Sequence, residues 1–167
     1  MSGGGTNPTP TLNKQMSEDI KELITTELQQ PSLISTAGAH VQTSATAVQA
    51  IFVAPKKCTV TDIKLGNTAA IAAHSTNHWT AQIVNQTGDL DLLSSAWNTD
   101  DDVAVTSNGK RALAADTMQS LNNNGTTEFL QNADLAEGDI LILTLTKGGS
   151  ATALDYPVAT VRYKEVN

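Results

Sequence analysis

The chain has 167 residues, enough for one domain with an extra segment, and only 16 % of them are Asp, Glu, Lys or Arg. Its formal net charge of −7 opposes a phosphate-binding role, because non-specific nucleic-acid affinity comes from clustered Lys and Arg, and here only Lys56-Lys57 and Lys110-Arg111 stand together. One cysteine, Cys58, excludes an intrachain disulfide and fits assembly in a reducing cytoplasm.

No apolar run approaches the length that spans a membrane. The opening MSGGGTNPTP lacks the basic region and apolar core of a secretory signal, so none is expected. Hydrophobic residues make up 40 % of the chain, with two each of Trp, Tyr and Phe, which is little for a large helical core. The bulk is Thr, Ala, Asn, Ser and Gly. Thr and Val favour strands, and Asn, Gly, Ser and Asp favour turns. The apolar residues cluster into runs, so the composition points to an all-β domain with many loops.

In chain order, residues 1–12 are Gly, Pro and Thr with almost nothing to bury, and read as an extended arm. Residues 13–30 read as one amphipathic helix. Asn13 can cap it, Glu18 and Asp19 sit in its early turns, and Pro31 stops it. Met16, Ile20, Leu23, Ile24 and Leu28 fall on one apolar stripe. That stripe packs either on the chain's own sheet or on a neighbouring subunit. Residues 31–40 read as linker, and 41–167 as the β domain.

Within that domain, 41–44 is a weak strand and 46–53 a stronger one, ending in the turn Ala54-Pro55-Lys56-Lys57. In 58–65, Cys58 and Val60 share a face. Ile63 and Leu65 return to phase after a one-residue slip, the mark of a β-bulge. Gly66-Asn67 ends the strand, and 68–77 reads as an Ala-rich loop or short turn of helix. Residues 78–85 alternate, with Trp79, Ala81 and Ile83 on one side. Residues 90–97 are a further strand, 98–110 a polar loop, and 111–121 a strand. Asn122-Asn123-Asn124-Gly125 reads as a turn and 126–130 as extended. Glu137-Gly138-Asp139 then turns into 140–146, and 158–163 closes the chain. These last two strands read as a hairpin, with Leu141, Leu143 and Leu145 facing the core alongside Ala159, Val161 and Tyr163. Ile140 and Ile142 make the first of them apolar on both faces, so a cover is expected on its second face. The whole reads as an antiparallel sandwich or jelly roll of about seven or eight short strands.

Candidate chemistry is sparse. His74 and His78 are four apart, but a zinc site needs three or four ligands, and His40 and Cys58 lie elsewhere; exposed loop histidines are expected. Asp100-Asp101-Asp102, with Asp89 and Asp91, matches no EF-hand spacing and reads as an acidic surface loop. There is no G-x-S-x-G elbow and no G-x-x-x-x-G-K-[ST] loop, and an enzyme is not expected. No cofactor and no metal are expected. Trp79 belongs to the core by its alternation, whereas Trp97, at a strand end beside a polar loop, is the candidate exposed ring.

Phe52-Val53-Ala54-Pro55 with Cys58-Thr59-Val60-Thr61 just after it resembles the strand, Pro turn and strand of tailed-phage virion β-sandwich proteins. The run from Ala133 through Asp134-Leu135-Ala136-Glu137-Gly138-Asp139 into an apolar strand is similar, as is the closing Val158-Ala159-Thr160-Val161-Arg162-Tyr163. The resemblance spans about residues 47–165, and capsid decoration proteins match the size best. It implies a structural protein on the outer surface of the virion that stabilises the capsid by binding between major capsid proteins. It also implies self-association, with a trimer favoured; the acidic charge and the lack of a long apolar run argue against nucleic acid and membrane as partners. The anchor would be Thr6, Pro8, Pro10 and Leu12 of the arm with Met16, Ile20, Leu23, Ile24 and Leu28 of the helix. The alternative is a receptor- or glycan-binding module of a tail fibre or baseplate, with Trp97 as its contact.

Overall fold

A computed structural model describes residues 32–38 (as backbone), 46–100, 112–123 and 128–166. The arm, the helix over 13–30, the strand over 41–44 and most of the polar loop lie outside the described residues. Those described are all-β, and no helix occurs among them. Ten strands are present among the described residues: β1 (Ser32–Gly38), β2 (Thr46–Val53), β3 (Cys58–Gly66), β4 (Trp79–Asn85), β5 (Leu90–Asp91), β6 (Trp97–Asn98), β7 (Gln119–Ser120), β8 (Asp134–Leu135), β9 (Ile140–Lys147) and β10 (Val158–Glu165).

They make two antiparallel sheets built on one plan. Sheet I runs β1-β10-β3, and the short strands β7 and β8 pair in tandem along the far edge of β3. Sheet II runs β2-β9-β4, and β5 and β6 pair in tandem along the far edge of β4. Alternation decides which side chains enter the core. Trp79, Ala81 and Ile83 of β4, Leu141, Leu143 and Leu145 of β9, and Ala159, Val161 and Tyr163 of β10 are all buried. Both sheets feed one hydrophobic cluster. The rings of Phe52 (sheet II) and Tyr163 (sheet I) meet at 4.9 Å between centroids, tilted by 48°. Each fully buried Leu or Ile contributes roughly 1.5–3 kcal/mol relative to an exposed one.

The slip in β3 is a bulge. Val60 pairs with Tyr163 and Asp62 with Arg162, so Thr61 is the extra residue. Its hydroxyl donates to the Arg162 carbonyl at 3.2 Å. A second bulge lies at Ile51 of β2, where the register steps from Ala50 to Phe52. It turns two successive side chains, Ile51 and Phe52, inward, and both are buried.

Three expectations are corrected. The strands β9 and β10 are not a hairpin: β9 lies between β2 and β4, and β10 between β1 and β3, so the segment between them crosses from one sheet to the other. The linker expected over 31–40 contains β1, paired along its length with β10 from Ser32↔Lys164 to Gly38↔Val158. An edge strand needs only backbone groups to pair, which Ser and Thr supply as well as Val. The strand expected over 90–97 is two short ones, β5 and β6, broken at Ser94 and Ser95.

The outer face of sheet II is set by the same alternation. Val48, Thr144 and Gln82 form one cross-strand row, and Ala50, Ile142 and Val84 the next; Val53 pairs with Ile140 beyond them. Antiparallel sheets that face water normally present polar residues there. Here Val48 is 65 % and Val53 57 % exposed, and Ile140, Ile142 and Val84 are half-buried.

Candidate functional site

At one end of sheet I, three chain segments converge on an open groove of about 280 Å³, lined by Gly66, Asn67, Thr68, Asp116, Thr117, Met118, Tyr156 and Val158. The strand order β10-β3-β7 brings them together: Gly66 ends β3, Met118 precedes β7, and Val158 begins β10.

Asn67 holds the three segments. It is 3 % exposed. Its Nδ2 donates to the Ala69 carbonyl at 2.6 Å, and its Oδ1 accepts the Asp155 N–H at 2.7 Å. Its own carbonyl accepts the Asp116 N–H at 2.9 Å. From the next residue, the Thr68 N–H and hydroxyl both donate to the Asp155 carbonyl, at 3.0 and 2.9 Å. Asp155 is thus gripped on both its backbone groups.

One residue at each grip, or directly after it, carries the strain. Asp116 has φ +52° and Tyr156 φ +46°. A left-handed backbone is costly for a side chain as large as Tyr, and the following Pro157 restricts it further. Such conformations cost of order 1–3 kcal/mol each and persist only where the surroundings over-determine them. The grip on Asp155 supplies that determination. The result is a Tyr156 side chain 64 % exposed beside Met118 at 38 %. Gly66 leaves room for Met118, whose sulfur occupies the space a Cβ at position 66 would need. The volume is at or below the small end of ligand pockets, so the groove suits one side chain or one small ring rather than an extended substrate.

The candidates read from sequence fare differently. Trp97, the candidate exposed ring, is 1 % exposed. The chain re-enters sheet II as β6, where Trp97 pairs directly with inward-facing Ala81 and shares its face. Its indole Nε1 has no hydrogen-bond partner among the described residues. Trp79 is buried as expected, and its Nε1 donates to the Thr152 carbonyl at 2.8 Å. The stretch 68–77 is not helical, so His74 and His78 do not share a helical face. His74 is exposed, and its Nδ1 accepts the Thr76 and Asn77 N–H groups at 3.1 and 3.2 Å. His78 is half-buried against Gly148, with its Nδ1 3.9 Å from Asp100 Oδ2. Among the described residues, no group of three or more His, Cys, Asp or Glu is placed to hold a metal ion. Asp101, Asp102, His40 and the anchor residues Thr6, Pro8, Pro10, Leu12, Met16, Ile20, Leu23, Ile24 and Leu28 lie outside the described residues. No helix among the described residues is long and apolar enough to cross a membrane.

Sequence reasoning passes over Asn67, Met118 and Tyr156. The available signal was Tyr156-Pro157, a bulky residue before proline in a loop; nothing in the sequence couples it to Asn67, 89 positions earlier.

No protein-family model, no curated protein and no solved structure matches the chain.

Proposed function

We propose that this protein is a structural component of a bacteriophage virion that decorates the capsid and stabilises it by seating between major capsid proteins. In this reading the two sheets are a β-sandwich body, and residues 1–30 are the anchor. The observation that carries it is the character of the groove. It is small, rigidly framed and fronted by an exposed aromatic and a thioether, and the hydroxyls of its two threonines, Thr68 and Thr117, donate to the backbone carbonyls of Asp155 and Ala115. That is equipment for gripping a neighbouring surface rather than for turning over a substrate. Exposed aromatic residues held in fixed positions are the usual anchors of protein contacts.

The resemblance of 47–165 to virion sandwich proteins supports the same reading. So does the anchor sequence, which pairs a Pro-containing arm with one apolar stripe. Ordering the arm costs roughly 1–2 kcal/mol per residue. Engaging several capsid subunits at once offsets that through multivalency. A shell so covered resists internal pressure because parting its subunits also breaks decoration contacts.

A second reading, a glycan- or receptor-binding module of a tail fibre or baseplate, loses Trp97 as its platform. It keeps one supporting observation: Tyr156 is an exposed ring flanked by Asp116 and Thr68. Imaging the particle with this density assigned decides between them. Many copies at junctions between capsid subunits are expected; a few copies confined to the tail would reject decoration and favour adhesion.

A further inference from the structure

We propose that the groove of sheet I is a recognition site for an arginine side chain presented by a partner protein. This deepens the capsid reading, on which the groove meets a neighbouring protein surface, by naming the group that it receives.

Apart from Tyr156, the polar side chains that line the groove have no hydrogen left to give. Thr68 Oγ1 donates to the Asp155 carbonyl at 2.9 Å, and Thr117 Oγ1 to the Ala115 carbonyl at 3.1 Å. A hydroxyl has one hydrogen, so both threonines offer an occupant only oxygen lone pairs. The Asn67 amide is committed to Ala69 and Asp155, and the residue is 3 % exposed. Asp116 supplies a carboxylate, which accepts and does not donate. Among the described residues no ion pair engages it. The nearest basic side chain along β3, Lys64, is paired with Asp62 at 3.6 Å.

A groove of acceptors selects a donor. A carbonyl, carboxylate or phosphate group would set oxygen against oxygen there. An aliphatic or aromatic side chain would cover the Asp116 carboxylate and take it from water without a partner. A guanidinium group carries five N–H donors and no acceptor, in a fork that matches a carboxylate. Its flat face stacks on an aromatic ring, and Tyr156 presents a ring 64 % exposed. The arginine stem is apolar, as are Met118 and Val158 in the same groove. Lysine brings the charge without the fork or the flat face, and its ammonium gives up water less readily. The backbone grip on Asp155 fixes where the ring stands before anything binds, which spares the cost of ordering it. At longer range, 17 acidic against 10 basic residues draw a basic surface toward the chain.

Amide nuclear magnetic resonance of the full chain, titrated with Nα-acetylargininamide, tests this without a capsid. Its failure is therefore separate from any failure of the particle experiments. Saturable shifts are expected at the amides of Asp116, Thr117, Met118, Asp155 and Tyr156, with a millimolar dissociation constant that weakens as salt is raised. Nα-acetyllysinamide should bind more weakly, and Nα-acetylleucinamide should leave these amides unmoved. Asp116→Asn keeps a residue type that tolerates the left-handed backbone, and should weaken arginine binding several-fold. Tyr156→Leu keeps apolar bulk but removes the ring, and should weaken it about two- to fivefold. Absent or unsaturable shifts at those amides, an equal response to the lysine or leucine probe, or binding unchanged in both variants would overturn the proposal.

Discussion

The Asp155 backbone N–H donates to Asn67 Oδ1 at 2.7 Å, and this bond fixes the residue from which Tyr156 is held out to solvent. Asn67 also secures Ala69 through its Nδ2 and Asp116 through its carbonyl. Replacing it with Ala keeps the carbonyl contact and removes both side-chain bonds, leaving a part-buried N–H without its acceptor. That loss costs about 1–3 kcal/mol. Asn67→Ala is expected to lower stability by this much in urea titration and to release Tyr156 from its left-handed backbone. Nuclear magnetic resonance of the 155–157 amides reads the second effect; unchanged shifts there would show that Pro157 and Thr68 hold the loop without Asn67.

The two tryptophans should respond differently to the same substitution. Trp79 Nε1 donates to the Thr152 carbonyl, while Trp97 Nε1 is buried without a partner among the described residues. Changing either to Phe leaves a similar void. Trp79→Phe also deprives the Thr152 carbonyl of its donor, whereas Trp97→Phe removes a donor that was already uncompensated. Trp79→Phe is expected to be the more destabilising by about 1–3 kcal/mol, measured by chemical denaturation. Equal losses would mean that the Trp97 nitrogen is satisfied in solution.

Some of this was legible in the sequence and some was not, for identifiable reasons. The limits of β2 and the extra residue in β3 follow from local apolar phase, which sequence displays directly. So does the burial of Leu141, Leu143 and Leu145. Phase says which face a residue takes but not which strand lies beside it. That is why β9 and β10 look like a hairpin and are separated into two sheets. Trp97 shows the same limit: its exposure depends on β6 rejoining β4, a pairing across the chain rather than along it. The groove was least legible, because Tyr156 adopts a backbone that its residue type seldom takes, next to an Asp155 held by a distant Asn67.

Two glycines with positive φ separate backbone strain from crowding. Gly138, at φ +86°, has nothing within 4 Å of a Cβ built on it. Gly138→Ala therefore costs only the left-handed penalty of roughly 1–2 kcal/mol. Gly149, at φ +55°, packs against the Thr76 carbonyl and Asn77 Oδ1. There the methyl group must also displace backbone, so Gly149→Ala is expected to destabilise distinctly more. Melting temperatures of the two variants test the order. A Gly149→Ala protein as stable as Gly138→Ala would mean that the 148–150 turn shifts freely.

Cys58 predicts an alkaline limb of stability. Burial, followed by the nearby carboxylates of Glu165, Asp139 and Asp134, pushes its thiol above the ordinary value of 9.0. Below that value both folded and unfolded chains hold the proton, and the contribution is constant. As pH rises past 9.0 the unfolded chain loses its proton first and is favoured, so stability falls until the folded thiol ionises too. Burial pushes Tyr163 upward in the same sense from 10.0. Comparing wild type with Cys58→Ala isolates the cysteine: the variant should lose less stability between pH 8 and pH 10, and parallel curves would refute the assignment. The native thiol should likewise react with a disulfide reagent only at the rate of unfolding, since it is 0 % exposed.

The capsid reading rests on two contacts that separate cleanly. β1 begins at Ser32, so deleting residues 1–30 leaves both sheets complete. The truncated protein is expected to keep a cooperative melt and its β circular dichroism while losing its place on capsids. Tyr156→Ala removes an exposed ring and keeps a Cβ in the same left-handed backbone, so it should fold about as well as wild type. If the groove grips a capsid neighbour, the same variant should occupy fewer sites and release at lower temperature. Particles stripped of the protein should then lose DNA at a lower temperature than decorated ones, because each bound copy adds contacts that must break before the shell opens. Full occupancy by the truncated protein would move the anchor out of residues 1–30, and equal heat stability of stripped and decorated particles would reject the cementing role itself.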